Sequence, residues 1–221
     1  MEAKAAPARR AFLIIDVQND FLPPNGSLKV EEGDKIIPLI NKLRKDIEWD
    51  LVCVSQDWHP KDHCSFVENN KGAEVLTVIE LESGLKQMMW PTHCVQGSKG
   101  AEFHKELVLE ETDKIVKKGT HQEVDSYSAF FDNDKKTSTE MNSILSKEKI
   151  TECYIAGLAY DYCVGFSALD SKAAGFKTTV ISDACRAVAP DSEKSMSKSL
   201  ADAGVSLQTT EDVLKALASQ S

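Results

Sequence analysis

The sequence predicts an α/β fold: a single domain with a central, mostly parallel β-sheet and helices on both faces. Three observations predict it. Short apolar runs rich in β-branched residues alternate along the chain with helical patterns, the order expected of a parallel sheet. The first run, "AFLIIDV", is apolar almost throughout, as a strand covered on both sides must be. The 221 residues, 42% hydrophobic and 28% charged, show no repeat, low-complexity tract or linker, so one core is expected over 1–221.

Residues 1–10 read as a loose N-terminal extension. "AFLIIDV" (11–17) is the first strand. In "GDKIIPLINKLRKDI" the apolar positions 36, 39, 40 and 43 share one helical face, with Pro38 near the first turn, where its missing N–H costs nothing. "DLVCVSQDW" (50–58) is the second strand. The alternation then fails from 67 to about 103, and 67–92 reads as a loop-rich excursion over one end of the sheet. "DKIVKKG" (113–119), "ECYIAGLA" (152–159), "KTTVISDAC" (177–185) and the weaker "VSLQTT" (205–210) supply four more strands. Helices are expected in "TSTEMNSILSKEK", "YCVGFSALDSKAAGF", "DSEKSMSKSLADAG" and "TEDVLKALAS". Gly175 and Gly204 stand where helix C-caps need a left-handed residue.

Composition narrows the function. A net charge of −9 argues against a nucleic-acid partner, whose phosphates are bound by basic side chains. No apolar run approaches the roughly 18 residues a membrane span needs. Neither "MEAKAAPARR" nor "ASQS" matches a targeting signal, so a cytoplasmic address is expected. The six cysteines form no CxxC pair and read as reduced thiols. Homo-oligomerisation is left open.

Parallel sheets bind ligands at the carboxyl ends of their strands, and four successive strand ends here carry reactive groups. They are Asp16, then Asp57 with His59, then Lys117 and Lys118, then Cys163 in "GLAYDYCVGFSA". Cys163 is the candidate nucleophile. A helix N-terminus lowers a thiol pKa, a lysine favours thiolate and a carboxylate can shuttle protons, although a lone Cys is more often a small core residue. Asp57 and His59, at i and i+2, project to one side and offer an oxygen and an imidazole to a divalent metal. The third ligand could be His63, Glu68, His93 or His104.

The blocks "AFLIIDVQNDF", "DWHPKDHCSF", "WPTHCVQGSKGAEFH", "VKKGT…DSYSAFFD" and "GLAYDYCV", in this order, resemble the nicotinamidases of the isochorismatase-like hydrolase superfamily over about 11–210. The resemblance implies that fold, an Asp–Lys–Cys triad, a bound divalent metal, and hydrolysis of nicotinamide to nicotinate and ammonia, with pyrazinamide as a second substrate. Carried over, the triad is Asp16, Lys118 and Cys163, and the metal ligands are Asp57, His59 and His93, with Glu68 reached through water. Zinc suits this set best, with manganese and iron(II) as alternatives. The family's cis peptide would be Leu158–Ala159, giving an oxyanion hole from the N–H groups of Ala159 and Cys163. Phe21 and Trp90 would wall the substrate, with Tyr127 near the ring. Lys117 is left as a solvated charge, His63 outside the ligand shell, and His121 at the surface. Three other readings share part of this pattern: a related small-amide or N-carbamoyl amidohydrolase, a two-His-one-carboxylate iron oxygenase, and a non-catalytic binding protein of the same fold.

Overall fold

The computed structural model describes residues 7–218. Residues 1–6 of the expected extension and Ser219 of the last helical pattern lie outside the described residues. The extension is shorter than 1–10, because the Arg9 carbonyl accepts the Thr151 N–H at 2.9 Å and the first strand already begins at Arg10.

The elements run β1 (Arg10–Ile15), α1 (Ile37–Asp46), β2 (Leu51–Asp57), β3 (Val78–Glu80), β4 (Lys86–Met88), β5 (Lys114–Lys118) and α2 (Met141–Lys147). They continue with β6 (Glu152–Leu158), α3 (Gly165–Ala173), β7 (Lys177–Arg186), α4 (Pro190–Asp202), β8 (Ser206–Gln208) and α5 (Thr210–Ala218). Six strands form one sheet in the order β5-β2-β1-β6-β7-β8, every neighbouring pair parallel. The middle strands β1 and β6 are buried at nearly every position, which is why they read as unbroken apolar runs. Helices flank the sheet; α1 packs with α5, and α3 with α4.

Strand order reverses between β1 and β6. From β1 the chain moves outward through β2 to β5, and from β6 it moves the other way through β7 to β8. A crevice opens beyond the strand ends at such a switch point. Asp16 follows β1 and Cys163 follows β6, on the two lips of that crevice.

Three elements depart from the sequence reading. The 67–92 excursion is not all loop: β3 and β4 pair as a separate antiparallel hairpin. The second helical pattern forms helix only from Met141, because Ser138 is bridged to Phe131 and the Thr139 N–H is taken by the Phe130 carbonyl. "YDYCV" (160–164) is a single wide π turn leading into α3, so Cys163 sits in this turn and not at the first residue of an ordinary α-helix. Gly175 and Gly204 adopt φ of +97° and +71° directly after α3 and α4, as capping requires. Among the described residues no helix is long and apolar enough to cross a membrane.

Candidate active site and metal centre

Asp57 and Lys118 are register partners on β2 and β5, so their side chains leave the sheet side by side. Lys118 is 1% exposed, and its ammonium reaches Asp57 Oδ1 at 2.5 Å, the Ser126 carbonyl at 2.8 Å, Asp16 Oδ2 at 2.9 Å and Cys163 Sγ at 3.3 Å. Lys117 points the other way, as alternation demands. It is not simply solvated, since its ammonium lies 3.9 Å from the centre of the Trp58 ring. Asp16 stands at φ +49°, a conformation that short polar residues tolerate better than most. Ser55 donates its hydroxyl to Asp16 Oδ1 at 2.6 Å, which leaves Oδ2 facing Lys118. Asp16, Asp57 and Cys163 place one oxygen or sulfur each within 4.8 Å of one another.

The protonation states follow from burial and pairing. Burial pushes the Asp16 carboxyl up, and although Lys118 pulls it back, it settles at about 6. Burial also raises Asp57, but Lys118 and His59 more than offset this and hold it below the usual carboxylate range. Lys118 is pushed down by burial and held well above its ordinary value by Asp16 and Asp57. Cys163 differs from the expectation of a lowered thiol pKa. Burial pushes the thiol well above its usual value, and the pull of Lys118 is opposed by Asp16 and Asp57. The resting thiol is therefore protonated, and activating it requires a base. Asp16 is the carboxylate at hand with the affinity to take a proton near neutral pH.

Asp57 is shared. Its Oδ1 meets Lys118, while Oδ2 lies 3.4 Å from His59 Nε2 and 3.9 Å from His93 Nε2. The Nδ1 atoms of these histidines are 2.8 Å from the carbonyls of Gly119 and Pro91, which makes Nδ1 a donor in each and turns both Nε2 atoms toward Asp57 Oδ2. His59 Nε2 is buried and has no hydrogen-bond partner, the state of a ring nitrogen built to ligate. Burial and the neighbouring His59 hold His93 down at about 4, so it stays a neutral donor. Asp57, His59 and His93 thus fit a divalent metal in donor type, proximity and supporting hydrogen bonds. Glu68 is outside this buried group, exposed and accepting from Thr92 Oγ1 at 2.7 Å. His63 is buried against His59, ring centres 4.2 Å apart, with Nδ1 on Ser65 Oγ. With His59 and Asp125 it forms a second cluster of metal-type donors. His104 is half-buried and belongs to neither cluster, and His121 is at the surface, paired with Asp132 at 2.9 Å.

Asp57, His93 and Cys163 open onto one cavity, lined also by Phe21, Trp90, Tyr127 and Ala159. The Leu158–Ala159 peptide is cis. Trp90 Nε1 donates to the Tyr127 hydroxyl at 3.3 Å, fixing two of the aromatic walls to each other. Tyr162 of "YDYC" lies edge-on to Trp90 at 4.8 Å on the same cavity; sequence reasoning missed Asp125, which also lines it. It also missed Gln18, whose side-chain amide bonds both the N–H and the carbonyl of Asp57 at 2.8 Å. Ser55 was within reach: at i−2 from Asp57 on the same strand, it shares that face.

The cysteine, lysine and aspartate gathered at the switch point of this parallel sheet are the residue types a cysteine-based hydrolase needs. The isochorismatase-domain family model matches residues 10–212, and the chain belongs to the isochorismatase family. It is 41% identical to a nicotinamidase of Escherichia coli over 92% of this chain and 96% of that one. Among solved structures, a nicotinamidase/pyrazinamidase from Acinetobacter baumanii aligns with a TM-score of 0.88 at 39% identity, covering 95% of this chain and all of its own. A pyrazinamidase from Pyrococcus horikoshii solved in complex with zinc aligns with a TM-score of 0.74 at 32% identity, over 91% of this chain and 99% of its own.

Proposed function

We propose that this chain hydrolyses nicotinamide to nicotinate and ammonia, and deaminates pyrazinamide in the same way, through a thioester on Cys163. The observation that carries the reading is the contact of the buried Lys118 with Asp16, Asp57 and Cys163 beneath an aromatic-walled cavity. The E. coli relative, named a nicotinamidase, and the A. baumanii structure, named for both amides, support the choice of substrate.

Asp16 takes the thiol proton, and the sulfur attacks the carboxamide carbon. The N–H groups of Ala159 and Cys163 receive the developing oxyanion. Asp16 returns the proton to the departing ammonia, then serves as base for the water that cleaves the thioester. Lys118 stabilises the thiolate and keeps Asp16 oriented. Phe21 and Trp90 hold the flat ring with Tyr127 at its edge. Asp57, His59 and His93 would hold one divalent ion, zinc by donor type with manganese and iron(II) as alternatives, and Glu68 would act on it through water. When bound, that ion supplies a Lewis-acidic contact for the lone pair of a pyridine nitrogen.

The test is ammonia and nicotinate release by the metal-loaded protein. Nicotinamide and pyrazinamide should both be turned over, with nicotinate and ammonia appearing in equal amounts from the first. No release from either amide would refute the assignment.

A further inference from the structure

The turn that carries Cys163 is tied to α4 by the residues on either side of the nucleophile. Tyr160 shares a hydrogen bond with Ser197 Oγ at 2.9 Å. Gly165 leaves no room between the turn and α4, since a Cβ there would come within 2.4 Å of Met196 Sδ. Between them lies Asp161, 3% exposed and two residues before Cys163. Its Oδ1 accepts the Val188 N–H at 2.9 Å, and its Oδ2 accepts the Ala189 N–H at 3.2 Å together with the Ser192 hydroxyl. All three donors come from the segment that enters α4, and Val188 itself lines the substrate cavity.

We infer that Asp161 is a positioning residue: its carboxylate locks the Cys163 turn to the entrance of α4 and so fixes the sulfur against Lys118 and Asp16. A buried carboxylate with every bond directed at one short segment sets position in three dimensions, which a single hydrogen bond does not. The Sγ–Nζ distance of 3.3 Å leaves little tolerance, and reaction rates fall steeply with small misplacements of reacting groups. The side chain reaches neither substrate nor sulfur and acts only through the backbone of the turn. Ring recognition comes from other elements, through Phe21, Trp90 and His93, so the clamp governs the chemical step more than substrate binding.

This inference rests on Cys163 being the nucleophile, and the experiment separates the two. Asp161→Asn keeps the shape of the side chain but turns one acceptor into a donor facing a backbone N–H. Measured well below its melting temperature, it should lose at least tenfold in kcat with KM within threefold of wild type. Alkylation of Cys163 by iodoacetamide should slow in parallel, which loss of global stability alone would not cause. Ser192→Ala, which removes one of the three donors from a partly exposed position, should lose two- to fivefold in kcat, and it decides the matter if Asp161→Asn does not fold. Wild-type kcat and alkylation rate in Asp161→Asn, or in Ser192→Ala where that variant must decide, would overturn the clamp while leaving the nucleophile in place. Full turnover in Cys163→Ala would instead refute the nucleophile itself.

Discussion

Lys118 is the side chain on which the electrostatics of the site converge, because one ammonium answers two buried carboxylates and a thiol. Removing it takes away the ammonium that the buried Asp16 and Asp57 share. Lys118→Ala should therefore cost at least about a hundredfold in kcat/KM and about 3–5 kcal/mol of stability, read by steady-state kinetics and denaturant melts. Lys117→Ala should cost only about 0.5–1 kcal/mol, its contact with Trp58, and leave turnover near wild type. The reverse ranking would mean that the register of β5 is wrong. The pH profile follows from Asp16. As a general base it must be unprotonated, and its carboxyl is raised to about 6, so kcat/KM should fall as pH drops through that value. A rate independent of pH between about 5 and 7 would remove Asp16 from the role. Which groups gather beneath the cavity was legible at this scale where a titratable group ended a strand. Their protonation states were not, because burial, which sets the Cys163 thiol and Asp16, is a property of the folded molecule.

At the scale of elements, β5 and the glycine after it join the triad to the metal-type cluster. Gly119 adopts φ +61°, and a Cβ there would lie 2.3 Å from His59 Cε1 and 2.6 Å from Nδ1. The same glycine's carbonyl accepts the His59 Nδ1–H and sets which nitrogen is left to ligate. Gly119→Ala should thus displace the His59 ring and lower metal affinity about 10- to 100-fold, measured by metal content after dialysis against a chelator. Wild-type metal retention would show that the ring is not held from this side. The positions of the central strands along the chain could be read from the sequence because each is an apolar run closed by a polar residue, whereas their order in the sheet could not. The β3–β4 hairpin could not, since with three residues per strand it has too few alternations to register as a pattern. The π turn was hidden for a different reason: nothing in the composition of "YDYCV" marks a wider winding, and the bonds of Tyr160 to α4 and of Asp161 to its entrance are long-range contacts that no local pattern shows.

Over the whole molecule, the Asp16–Lys118–Cys163 cluster, the metal-type ligands and the aromatic walls form one connected unit, linked through Asp57. Its two oxygens face Lys118 and the histidines, and Gln18 grips its backbone. Neither spacing nor composition revealed this sharing, because it depends on the register of β2 with β5. On the proposed mechanism, ring and carboxamide are read by parts of a single network. Benzamide keeps the amide and the flat ring but lacks the lone pair that a metal would contact, so its kcat/KM should be at least about a hundredfold below that of nicotinamide. Equal values would make the chain a general aromatic amidase. The most direct test of the central claim is intact-mass analysis of wild-type and Cys163→Ala protein, acid-quenched during turnover of nicotinamide. The wild type should carry a nicotinoyl adduct that maps to Cys163 and disappears as substrate is exhausted, while Cys163→Ala carries none and releases no ammonia. Undiminished ammonia release by Cys163→Ala, or an adduct on another residue, would contradict the mechanism.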